Sequence, residues 1–187
     1  VNSSQGLAAS YRYDRLKDDM EQFHAQMVVC FPPRRIPESR IYGGSAERAA
    51  VDPEVQELCN LTGGKTWSEI EVEHLSKLSE YLTLMSNEAF TAFLPAFLEI
   101  CIEELDAAEE GTTSIVVSAI CPLTGEGYMD EFTLERLKLF DERQARVIAG
   151  WLQCSAKFSI SDALADDIKR TLESYWFRWG DTDQSGH

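Results

Sequence analysis

The sequence predicts a mainly α-helical, single-domain protein, an irregular helical bundle built around a proline-kinked central helix. Three observations carry this. Apolar residues recur three and four positions apart over most of the chain, the spacing of one helix face. Hydrophobic residues make up 44% of the 187, with four Trp, six Tyr and nine Phe for bulk, enough for one real core. The β-branched character of a strand appears in one short run, TTSIVVSAI at 112–120.

The elements follow in order. Residues 1–12 read as a flexible N-terminus and 180–187 as a disordered tail, leaving 13–179 as the helical domain. From Tyr13 to about Val29, Leu16, Met20, Phe23 and Met27 recur at helical spacing. CFPPRRIPESRIYGGSAERAAVDPE, from Cys30, then breaks regularity with prolines and a Gly-Gly pair. It reads as a loop or wrapped arm, with helix again from Pro53, a good first-turn residue, to Cys59. Its Arg34, Arg35 and Arg40 are expected to pair with acids.

Thr66 with Glu69, or Ser68 with Glu71, has capping-box spacing, so a helix is expected to start there. Its stripe is Leu75, Leu78 and Leu82, ending near Met85. Ser86 can cap the next helix, in which Phe90, Phe93, Leu94, Phe97, Leu98, Cys101, Ile102 and Leu105 form one continuous apolar face. Pro95 lies too deep in it to be a first-turn residue. It removes one backbone hydrogen bond and crowds the carbonyl of Thr91, so a kink is expected. Residues 112–120 lie between helices and support either a strand or a short buried helix. CPLTGEGYMDEF reads as a loop. In FDERQARVIAGWLQCSAKF, Asp141 caps, Gln144 completes a box, and Val147, Ile148, Trp151 and Leu152 form one face. A last helix, from about Ser161 to Phe177, carries Leu164, Ile168, Leu172, Tyr175 and Trp179 on one side.

Charge is the outstanding property: 32 acids against 17 bases, net −15. Such a surface repels nucleic acid and anionic membrane and speeds encounter with a basic partner. Acidity of this kind also serves solubility alone. Five cysteines (Cys30, Cys59, Cys101, Cys121, Cys154) form no tight pair, which favours free thiols in a reducing compartment. No apolar run reaches transmembrane length and the start is not signal-like, so a cytoplasmic location is expected; the chain begins at Val1, and an upstream segment is compatible with that.

No reaction is written in the motifs. Zinc-site spacings, phosphate loops and nucleophile elbows are absent, His24 and His74 each stand alone, and the Gly-Gly pairs at 43–44 and 63–64 read as turns. No cofactor and no metal are therefore expected. Cys59 with His74 is the single pair suggestive of nucleophilic chemistry. The acids of EICIEELDAAEE, namely Glu99, Glu103, Glu104, Asp106, Glu109 and Glu110, contain no base among them. They read either as a solvated face or as a cluster awaiting a cationic partner. Like charges in a helix's last turns oppose its dipole and repel one another, a repulsion that binding relieves. In YWFRWG, the aromatic residues cannot all face one core from one helix. Trp176 and Trp179 are read either as packing under the N-terminal arm or as an exposed partner anchor.

Trp67 and Ile70, then Phe90, Phe93, Leu94, Pro95, Ala96, Phe97 and Leu98, then Phe140, Gln144, Trp151 and Leu152 together resemble a family of uncharacterised bacterial helical domains. The shared pattern is Trp-x-x-Ile, a Phe-x-x-Tyr-Leu-Pro-Ala-Phe-Leu centre, and a Phe-x-x-x-Gln helix ending in Trp-Leu or Phe-Leu. It covers about residues 65–155, with Phe93 at the usual Tyr position. The resemblance implies a mostly helical fold and brings no activity. In overall character the chain is also similar to bacterial toxin-immunity proteins. The expected function is therefore binding and neutralising a basic, cytoplasm-acting toxin, with neither nucleic acid nor membrane as partner and no enzymatic activity. The alternatives are a small enzyme with a site assembled from scattered residues and a structural or adaptor subunit.

Overall fold

The computed structural model describes residues 21–106, 111–123, 127–159 and 161–180. The expected lead-in, tail and first half of the N-terminal helix lie outside these. Among the described residues the fold is all-α and single-domain. Residues 21–30 are helical (α1) and are followed by Ala46–Ala49 (α2), Pro53–Thr62 (α3), Val72–Ser79 (α4), Asn87–Asp106 (α5), Gly111–Ala119 (α6), Glu131–Leu137 (α7), Glu142–Phe158 (α8) and Asp162–Ser174 (α9).

α5 is the hub, touching α4, α6, α7, α8 and a short 3-10 turn at Trp67–Glu69. Its stripe behaves as its spacing requires: Phe90, Phe93, Leu94, Phe97, Leu98, Cys101 and Ile102 are all buried. The side chain of Leu105 lies outside the described part. The helix runs on through Pro95, which is itself buried, and Ser86 Oγ accepts from Ala89 N at 3.0 Å to cap its start. α8 carries the expected Asp141–Gln144 capping box and packs on α9 and α5. Its Trp151 is fully buried and donates Nε1–H to the Leu98 carbonyl at 3.1 Å.

The proline-rich arm is tied down. Ile36 and Ile41 are buried, Trp67 Nε1–H donates to the Phe31 carbonyl at 2.8 Å, and Tyr42 bridges Met85 just ahead of α5. Arg34 and Arg40 meet Glu88 (3.7 and 2.5 Å) and Arg35 meets Glu69 (2.5 Å), so these bases do pair with acids. α3 continues three residues past Cys59 and stops at Gly63-Gly64, where Gly64 takes φ of 71°, a left-handed conformation that favours glycine.

Several expectations change. The Thr66–Glu69 capping box is present but closes only the 3-10 turn; α4 starts after it, at Val72. Residues 112–119 are helical, in α6, and Ile120 begins the turn after it. α7 was not expected at all; Asp130, read as loop, caps it by accepting from Thr133 N at 3.0 Å. The last helix stops at Ser174. Tyr175 leaves the helical conformation (φ −141°, ψ −42°), and a 3-10 turn at Trp176–Arg178 follows.

Candidate partner-binding site

α1 and α5 meet at a pocket of about 410 Å³. α1 supplies Glu21, Phe23 and His24; α5 supplies Glu99, Ile102 and Glu103, which share one helix face at i, i+3 and i+4. Phe23 and Ile102 are buried and form an apolar floor, while Glu21 and Glu103 are exposed. The His24 ring lies against the Glu99 carboxylate through Nδ1 and Oε1. Partial burial raises the pKa of Glu99 above its ordinary value and the nearby Glu103 charge adds to this; the His24 contact opposes both. His24 is thus not alone, as its sequence position implied. The arrangement suits a Lys or Arg side chain: an apolar floor for the stem and carboxylates for the head.

The other predicted acids divide. Glu104 is engaged within the fold, accepting from Thr112 N (3.3 Å), Thr113 N (3.1 Å) and Thr113 Oγ1 (3.4 Å) at the start of α6. It offsets the orphan donors and positive end of that helix, whereas Glu103 beside it is exposed. Glu109, Glu110 and the Asp106 side chain lie outside the described residues.

Of the two readings of Trp176, interior packing is the one that matches its burial. The side chain is fully buried, donates Nε1–H to the Ile120 carbonyl at 3.0 Å and packs against Phe140 and Tyr175. The break at Tyr175 rotates the chain out of helical phase and turns this ring into the core. Trp179 is half-buried beside Tyr175 and lines a second pocket with Gln26 and Cys30, next to α1. The exposed aromatic of this segment is Phe177.

Cys59 and His74 have separate partners. Cys59 Sγ–H points at the Glu38 carbonyl (3.9 Å), and its pKa is raised by burial and by Glu38, the reverse of what an activated thiolate needs. Glu57, two residues away and about 200° around the helix, is the group that faces α4, pairing with Lys77 and Tyr81. His74, half-buried in the first turn of α4, has its Nε2 3.3 Å from Glu71 and 4.0 Å from Glu73. These three donors are near enough to share a cation, a grouping that the sequence reading, which took His74 as solitary, missed.

The most informative residue that the sequence reading missed is Arg136. It is 2% exposed, with its guanidinium donating to the Leu82 carbonyl (3.0 Å), the Met85 carbonyl (2.7 Å) and Asn87 Oδ1 (3.2 Å). It lies between the rings of Phe90 (4.3 Å) and Phe132 (4.6 Å). Burial lowers its pKa to about 10, still charged at neutral pH. No single-sequence signal marks a helical Arg as buried.

Among the described residues, no helix is long and apolar enough to cross a membrane. No curated protein and no solved structure matches the chain. Beyond the stretch 65–155, the bridge at Tyr42 and the terminal Trp179 also fall within a shared family pattern. Residues 42–179 match the Family of unknown function (DUF6714), and the chain belongs to that family.

Proposed function

We propose that this protein is an immunity- or antitoxin-type protein that binds and neutralises a toxin with a basic surface. The observation that supports this best is the pocket of Glu21, Glu99 and Glu103 over the apolar floor of Phe23 and Ile102. It has carboxylates to spare in a chain of net charge −15. Many of the bases are already committed: Arg34, Arg35, Arg40, Arg48, Lys77, Lys138, Arg146 and Arg170 each lie within ion-pair distance of a carboxylate. What remains for a partner is negative, and a cationic toxin cleft complements it. Long-range attraction then speeds capture, which matters most where a free toxin kills the cell.

The experiment is co-expression with the product of the adjacent gene, followed by co-purification and a growth-rescue assay. The expected result is a stable complex and restored growth. A neighbour that is harmless when expressed alone, and that forms no complex at low salt, would contradict the proposal.

A further inference from the structure

A second surface has a different character. A groove of about 430 Å³ lies between α6 and α7, over Leu82 and the end of α4. Ile115 and Phe132 line its walls. Ile115 is 36% exposed, Phe132 54%, and Met129, just ahead of α7, 44%. Other large apolar side chains are exposed elsewhere, Val29, Val51 and Phe177 among them, but Ile115 and Phe132 share this groove, and Met129 adjoins its lining residue Asp130 in the chain. Exposed apolar surface concentrated in this way marks interaction sites more often than isolated exposed residues do.

The aromatic wall is held in place. The ring of Phe132 lies over the Arg136 guanidinium, whose donors are fixed by the Leu82 and Met85 carbonyls and Asn87. A stacked ring loses less freedom on binding than a loose one, so it serves well as an anchor. The rim is acidic. Glu80 and Asp130 line the groove, Glu131 is exposed at the start of α7, and the lining cation Arg136 is turned inward to its carbonyl acceptors. Hydrogen bonds from Thr133 hold the Asp130 carboxyl below its ordinary range, so it is charged at neutral pH.

We infer that this groove is a docking surface for a short amphipathic segment of a partner protein, apolar on one face and flanked by Lys or Arg. A groove between two helices takes the apolar face of such a segment, and the acidic rim selects its basic flanks. The same rim disfavours a second copy of this chain, because it would bring like charges together. The inference rests on the protein-binding reading above and adds to it a surface built from other residues.

The probe is a designed 14-residue Leu/Lys peptide with all its leucines on one helical face. A scrambled peptide of equal composition is the control. Binding is followed by titration calorimetry and by the methyl resonance of Met129. Ile115→Ser and Met129→Ser are used because Phe132→Ala also exposes Arg136. The expected result is saturable binding at least tenfold tighter than the scrambled control. Each variant weakens it severalfold, the Met129 methyl shifts on titration, and Glu103→Lys leaves the discrimination between the peptides intact. Equal binding of both peptides, an unmoved Met129 methyl, or a dimer in sedimentation that Met129→Ser dissociates would overturn it. The two proposals fail separately. A toxin complex sensitive to Glu103→Lys but indifferent to both groove variants removes this surface and keeps the proposed function. Selective peptide binding without toxin rescue does the opposite.

Discussion

His24 of α1 and Glu99 of α5, far apart in sequence, meet at the mouth of the acidic pocket, the imidazole against the carboxylate. The contact ties the N-terminal helix to the hub helix and leaves a half-buried carboxyl with a raised pKa. A raised carboxyl pKa means that the folded state holds its proton more tightly than the unfolded chain does. Stability from this group is therefore fully present below its ordinary value of 4.5 and is lost as pH rises through the raised folded value.

Glu99→Gln keeps an oxygen acceptor for His24 and removes the half-buried charge. The variant is expected to melt higher than the parent at pH 7, and the gap is expected to close on acidification as the parent carboxyl takes up its proton. Melting temperatures measured across that range check this. A gap that widens in acid would reverse the sign of the effect.

Arg136→Ala removes the donors to two backbone carbonyls in the interior. An orphaned buried acceptor costs about 1–3 kcal/mol, so the total loss is expected to reach about 3 kcal/mol or more by denaturant melts. Arg136→Lys is expected to lose less, since one ammonium can still serve part of the set. A loss below about 1 kcal/mol for the alanine variant would show that these bonds contribute little.

The hub helix gives a test of packing. Phe97 is 1% exposed, and Phe97→Ala is expected to cost about 3–5 kcal/mol. Pro95→Ala is expected to keep the fold, because the helix already runs through that position and alanine restores a backbone donor. Circular dichroism and denaturant melts of both variants check the pair.

The cysteines should differ in reactivity. Cys101 is fully buried, and burial pushes its thiol pKa far above the ordinary value, whereas Cys30 and Cys121 are half-buried. Alkylation of the native protein by iodoacetamide, read by mass spectrometry, is expected to label Cys30 or Cys121 well before Cys101. Early labelling of Cys101 would show that the hub helix opens readily.

How much of this could be read in the sequence depended on how local the physics was. Ser86, Asp141 with Gln144, and the long stripe from Phe90 to Ile102 act within a few residues of themselves, and they folded as their spacing required. α7 was missed because Phe132 is exposed while Arg136 is buried, which inverts the usual pattern. Trp176 was left between packing and exposure because helical phase does not place a side chain past Ser174, where the chain turns. The site depends on contacts distant in sequence: the acids of α5 were visible, but Glu21, Phe23 and His24 join them only through the packing of α1.

The central claim, capture of a basic partner through the α1–α5 pocket, is tested most directly by association kinetics. Rates are measured with the purified toxin partner at low and high salt, for the parent and for Glu99→Lys with Glu103→Lys. Charge reversal is expected to slow association about tenfold or more at low salt, with a smaller effect on dissociation. The difference is expected to shrink as salt screens it. Association equally fast in parent and variant at low salt would contradict the account.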